Sequence, residues 1–296
     1  MSKKGHHLKD KGYKEIFENK DLFLEFLHTC IKEEWVNHID PEQTERVDKE
    51  FILQDYQKQE ADIIYRMKVG DRDGGRIVYV YVLLELQSSV DYTMPLRLLS
   101  YMVQLWLQET KNRTKGKRYA LPPIVPIILY NGQKEWKVPR RFVEIIEEHS
   151  QYMPYLVDFK YIMVDINAYT EEQLRSISNT ISYLFMFDRS EATDDYDALR
   201  ERLKQLLSDR ERLSTSHFKI LINFVLCIIM NTRKIEGINE AEIAEIQALM
   251  EEGEDMTLAI ERMLKREYKK ERLAGRADDL LEGRLEGLEI GREEGK

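Results

Sequence analysis

Hydrophobic and polar residues change period twice along this chain. Over residues 11–39, apolar Leu22, Phe23, Phe26, Leu27, Cys30 and Ile31 recur at helical spacing. The spacing predicts helix, broken near Asn19-Lys20-Asp21 and ended by Asp40-Pro41. Residues 43–54 read as a short strand and an irregular link. Residues 60–69 (EADIIYRMKV) and 76–88 (RIVYVYVLLELQS) are β-branched and aromatic runs flanking Gly70-Asp71-Arg72-Asp73-Gly74-Gly75. Asp-Gly between such runs is a hairpin signal. Pro95 suits the first turn of a helix reaching about residue 110. Arg97, Tyr101 and Gln104 share a face of that helix, which looks either toward the hairpin or to solvent. Next come a buried strand over 123–129, a turn at Asn131-Gly132, a short helix over 139–149 and a strand over 159–166. Alternating helix and strand over 10–167 predicts an α/β core with a mixed β-sheet flanked by helices. After Tyr169 the pattern is helical only, over 171–187, 196–209, 216–231 and 240–251. These helices either dock on the core or form a separate bundle. The polar stretch 188–197 is the best boundary. The expected organisation is a core over 1–168, a helical extension over 169–254, and a charged, glycine-periodic tail over 255–296.

The hairpin carries the candidate chemistry. With Asp73-Gly74 as central turn residues, strand positions pair when their numbers sum to 147. Asp62 then faces Glu85 on the same side of the sheet, with Cβ atoms about 4.5–5.5 Å apart, where like charges repel. The second strand is apolar on both faces before Glu85, as in a buried central strand. Gln87, two residues on, shares the face of Glu85. A divalent cation between the carboxylates would reconcile them. Hard cations such as magnesium take oxygen ligands, here Asp62, Glu85 and the Leu86 carbonyl. Such an ion polarises a phosphoryl oxygen and lowers the pKa of bound water, which is the chemistry of phosphodiester hydrolysis. The alternative is structural. Asp62 caps a strand end and Glu85 pairs with a core arginine such as Arg97, since buried charges are paired or bound to metal. A one-residue bulge would break the pairing rule.

Five segments, in order, carry a resemblance. Residues 9–17 (KDKGYKEIF) resemble an opening H-D-x-x-F-K-E-L-F, and 61–65 (ADIIY) resemble S-D-L-L-Y. Residues 83–89 (LLELQSS) are similar to L-x-E-x-Q-S, and 94–102 (MPLRLLSYM) to M-P-L-R-L-L-x-Y-M. Residues 122–132 (PPIVPIILYNG) are similar to L-P-x-V-x-P-x-V-L-Y-x-G. Together they resemble the bacterial recombination-promoting nuclease (transposase-like) family, within the PD-(D/E)XK nuclease superfamily. The resemblance implies a restriction-endonuclease-like core and a magnesium-dependent DNA endonuclease, with manganese as a second usable ion. It implies that Asp62 and Glu85 are metal ligands and that Glu15 is a helical acid assisting the metal. Gln87 stands where most of the superfamily has lysine. Glutamine orients a water but brings no charge to a transition state. Lys14 or Arg97 is then the substitute cation, with Tyr101 beside Arg97 on the same helix face. The opening histidine is also displaced, since His6 and His7 lie upstream of Asp10. The alternative function is a nuclease fold that binds DNA or protein without cleaving, or a transposase accessory assembling through its helical half.

Composition narrows the setting. The chain has 296 residues, 43% hydrophobic and 33% charged, which suits a folded rather than a disordered protein. Cys30 and Cys227 form no disulfide framework, and the polar N-terminus has no secretory signal pattern, so a cytoplasmic location is expected. The apolar run 218–230 contains Lys219 and Asn223 and is shorter than the ~20 residues of a membrane span. The net charge of −9 argues at first against a nucleic-acid partner. Residues 236–296, however, hold 18 acidic and 10 basic residues, leaving the rest nearly neutral. Basic stretches at 111–118 and at Lys137, Arg140 and Arg141 read as phosphate contacts or as solvated loops. In the tail, Gly275, Gly283, Gly287, Gly291 and Gly295 recur at multiples of four. That pattern is either a helix for homo-oligomer formation or a solvated end, because each helical glycine costs about 1 kcal/mol relative to alanine. No H-E-x-x-H, phosphate-binding glycine loop or G-x-S-x-G occurs.

Overall fold

Asn19 divides the first helical stretch. In a computed structural model of the chain, α1 (12–18) ends there and α2 (Lys20–Cys30) begins, with the Asn19 side chain accepting from the Asp21 and Leu22 N–H groups. The described residues are 12–47, 63–70, 78–111, 120–189 and 196–232, with 244–246, 248–249, 259–260 and 262. The break falls where the sequence predicts it, but the helix stops at Cys30 rather than running to 39. Ile31 is extended, a 3₁₀ turn spans Glu34–His38, and β1 (Ile39–Arg46) follows. Pro41 therefore lies inside an edge strand. The β1–β2 register shifts between Asp40 and Thr44, so the residue without an N–H sits in an irregularity of the ladder.

β2 (Ile63–Val69) and β3 (Val78–Gln87) are antiparallel. All seven pairs, from Ile63 with Leu84 to Val69 with Val78, obey the sum of 147. Residues 71–77, where the sequence predicts a turn, and Asp62 lie outside the described residues. From β3 the chain crosses through α3 (Met94–Lys111) to β4 (Ile124–Tyr130), parallel to β3, and later to β5 (Ile162–Asp165), parallel to β4. The sheet is mixed, in the order β1-β2-β3-β4-β5, with β3 at its centre.

Its two faces bury different partners. Ile64, Ile128 and Tyr130 pack against Met94, Leu98, Tyr101 and Leu105 of α3. Tyr65, pointing the other way, stacks on Phe23 of α2 at 4.1 Å between ring centroids, and its hydroxyl lies 3.0 Å from the Phe17 and Glu18 carbonyls at the end of α1.

The helix expected over 139–149 does not form. A 3₁₀ turn (Phe142–Ile145) and a short α4 (His149–Tyr152) occupy the region. Arg141 bridges to Lys160 and ion-pairs with Asp158, and Phe142 stacks on Phe159. These tertiary contacts override the local helical pattern. The helix expected over 171–187 is two, α5 (Glu171–Ile177) and α6 (Thr180–Asp188). Ser178 is left-handed with φ 55°, and Asn179 caps α6 in a reciprocal bond with Ser182. Every residue of α6 is buried. α7 (Tyr196–Ser208) and α8 (Thr215–Thr232) complete the elements, and residues 244–246 and 248–249 are also helical. Contacts divide the chain into two units. One holds Met1–Asp195 and Glu211–Thr232, and so includes the sheet and α8; the other holds Tyr196–Arg210 and Arg233–Lys296. Within the first, Tyr13 of α1 meets Phe224 of α8 edge-on at 5.2 Å.

Cys30, half-buried, ends α2. Burial pushes its pKa from 9.0 up to about 12, against a smaller opposing effect of its hydrogen bond with Tyr169. Between those values the unfolded chain loses this proton and the folded chain keeps it. This contribution to stability is therefore lost as pH rises above about 9. Native protein at pH 8 is expected to alkylate at Cys30 far more slowly than urea-unfolded protein, as peptide mapping by mass spectrometry would show. Equal rates would contradict the burial.

Candidate functional site

The C-terminal end of β3 and the start of α3 bring four of the sequence-selected residues together. β3 is central, so its side chains are enclosed, and Glu85 is only 1% exposed. It pairs with Ile128 of β4 on the sheet face that α3 covers. Between strand and helix, Asp91 accepts from the Thr93 N–H at 2.8 Å and its hydroxyl at 2.6 Å. This local turn ends the β3 connection and starts α3. Arg97 then lies in the first turns of α3, above Glu85.

Arg97 is the hub. Its Nη2 donates to Glu85 Oε1 at 2.5 Å and its Nη1 to Asp91 Oδ2 at 3.0 Å. The Tyr101 hydroxyl accepts from Nη2 at 3.1 Å and Nε at 3.3 Å. Gln87 Nε2 donates to the same Glu85 oxygen at 3.4 Å. Burial alone would lower the pKa of Arg97. Glu85, Tyr101 and Asp91 together outweigh it, and the net shift is upward. The guanidinium stays charged. Burial likewise works to raise the pKa of Asp91, but the Thr93 bonds and Arg97 hold its carboxyl below the ordinary range.

The face of Arg97 and Tyr101 therefore looks toward the hairpin. Gln104, on the same helix, is half-buried and bonds to Ser100. Arg97, one of the two partners that the sequence leaves open for Glu85, contacts it here. Glu15 is exposed on α1 and Lys14 half-buried beside it. Asp62 lies outside the described residues. Among the described residues no three His, Cys, Asp or Glu side chains gather as a metal site. The donors present are oxygens, the Glu85 carboxylate and the Gln87 amide, without sulfur or imidazole. That chemistry suits a hard cation such as magnesium or manganese rather than zinc.

Two polar residues outside the sequence selection matter. Asp91 was signalled by Asp-x-Thr just before Met94-Pro95, a helix-start pattern. Asp188 is 2% exposed and accepts from the Tyr13 hydroxyl at 2.7 Å and Asn131 Nδ2 at 2.9 Å. It ties α1 and α6 to the end of β4, where the Asn131 N–H donates to the Gln87 carbonyl at 3.0 Å. No local sequence pattern announces this long-range junction.

A mixed sheet with a buried acid at the end of its central strand, held by an arginine from the crossover helix, defines an α/β protein with a polar site on one sheet face. The chain belongs to the family described as "Putative transposase, YhgA-like", whose model matches residues 6–217. It is similar to the Recombination-promoting nuclease RpnD of Escherichia coli O157:H7, at 23% identity over 125 residues, covering 42% of this chain and 45% of that protein. The match thus spans less than half of that relative's length. No solved structure matches the chain. Among the described residues no helix is long and apolar enough to cross a membrane.

Proposed function

We propose that this protein is a metal-dependent endonuclease that hydrolyses phosphodiester bonds in DNA, built on a restriction-endonuclease-like core and acting in recombination or on mobile DNA. The observation that carries the reading is the nearly inaccessible Glu85 at the end of the central strand, with Gln87 on the same face and a fixed cation, Arg97, beside it. The family, and the name of the relative that it resembles, support the same chemistry. In this reading Asp62, the Glu85 carboxylate and the Leu86 carbonyl hold magnesium, with Glu15 assisting. A bound magnesium ion would polarise a phosphoryl oxygen and acidify a water. Gln87 orients the attacking water, and Arg97 and Tyr101 supply positive charge and a hydroxyl donor toward the phosphate, as Lys14 does from α1.

The second reading is a nuclease fold that binds DNA or protein without cutting. One observation favours it: Glu85 already has a strong cationic partner in Arg97. Plasmid cleavage separates the two. Purified full chain is expected to nick or linearise plasmid with magnesium or manganese and to stop when EDTA is added. Binding without cleavage in any metal would support the non-cutting module.

A further inference from the structure

Arg97 and a divalent cation would draw on the same carboxylate. Glu85 Oε1 accepts from the guanidinium at 2.5 Å. Two positive groups cannot share that carboxylate without repulsion, which is strong where water is scarce. The pair is also asymmetric. The Glu85 side chain is 2% exposed and that of Arg97 24%. The acid is enclosed by the sheet, whereas the arginine reaches solvent. Arg97 further has two anchors of its own, Asp91 Oδ2 at 3.0 Å and the Tyr101 hydroxyl at 3.1 Å. A guanidinium that released Glu85 would keep both, so it need not become an unpaired buried charge.

We propose that Arg97 is a resident competitor for Glu85: its guanidinium holds the carboxylate when no divalent cation is present, and its positive charge beside that carboxylate sets the cation affinity of the site. Arg97 is thus a positioning residue that acts through Glu85. The inference rests on the metal-binding reading above. It assigns the Asp91–Tyr101 pair as the place where the arginine is retained once a cation has loaded.

The test is calorimetric titration of the full chain with manganese alone, at about pH 8, without DNA. Wild type is compared with Arg97→Met, Arg97→Lys, Glu85→Gln and the double variant Arg97→Met/Glu85→Gln. Removing one positive charge from the contact is expected to tighten manganese binding roughly tenfold or more in Arg97→Met. Arg97→Lys keeps the charge but lacks the planar fork that reaches three partners. It is expected to fall between Arg97→Met and wild type, and it carries the test if the methionine variant does not fold. The double variant is expected to lose the gain, which assigns it to Glu85. If wild type binds manganese through Glu85 and the Arg97 variants bind equally or more weakly, the competition is overturned while the metal reading stands. If no variant shows binding that depends on Glu85, both are overturned.

Discussion

Glu85→Ala is expected to cut DNA at least about a hundredfold more slowly than wild type and to be less stable by about 3 kcal/mol. The first figure follows from removing a proposed metal ligand, because the charge stabilisation a metal provides is worth several kcal/mol. The second follows from leaving the Arg97 guanidinium without its closest counter-charge. Asp91 and Tyr101 still hold Arg97, and its partial exposure lets water help, so the loss lies at the low end for a broken buried pair. Glu85→Gln separates the two effects. It keeps the shape and an acceptor for Arg97, so most stability should remain, but it removes the anionic ligand. Urea midpoints and single-turnover cleavage on the same preparations check both. A Glu85→Gln protein that cuts at the wild-type rate would remove Glu85 from the site.

Phe23→Ala should be the more damaging substitution for folding, at about 3–5 kcal/mol. Phe23 is fully buried, stacked on Tyr65 at 4.1 Å and within 6.4 Å of Phe26. It links α2 to β2 on the sheet face opposite α3. Truncation would leave a cavity beneath Tyr65, whose hydroxyl closes the end of α1. Because α1 is anchored through this contact and through Phe17 against Phe26, the void has little room to collapse. Thermal unfolding by circular dichroism should show the melting temperature falling by several degrees or more. A shift of less than one degree would mean that this face contributes little to the core.

Much of the frame was legible because it depends on local chemistry. The register of β2 and β3, read from the Asp-Gly signal in the sequence, holds at every described pair. The break at Asn19 follows from a side chain that caps better than it continues a helix. Pro95 opens α3 because its missing N–H costs nothing in a first turn. At the site, helical spacing alone put Arg97 and Tyr101 on one face, and the position of Glu85 on a buried strand made a strong partner necessary. That Arg97 reaches Glu85 needed the separation of α3 from β3, which spacing along the chain does not contain. The failures share this cause. Residues 139–149 are apolar at helical intervals, yet Arg141 and Phe142 are claimed by Asp158 and Phe159. The stretch 171–187 looks continuous, but Asn179 also serves Thr29 of α2 and Ser178 turns left-handed, so a tertiary contact accompanies the division into two helices. Asp188 was invisible for the same reason, since its partners lie 175 and 57 residues away.

The two margins of the sheet bear on how copies of this protein meet. A strand margin offers unpaired backbone groups to any passing chain, and a long flat one invites fibrous growth. Here β5 offers only four residues. β1 is longer, but Pro41 has no donor, the ladder is irregular beside it, and Glu42, Glu45 and Arg46 are exposed along it. A neighbour trying to add a strand would meet a missing donor, a kink and alternating charge in a few residues. Among the described residues, strand addition is thereby discouraged at both margins of the sheet.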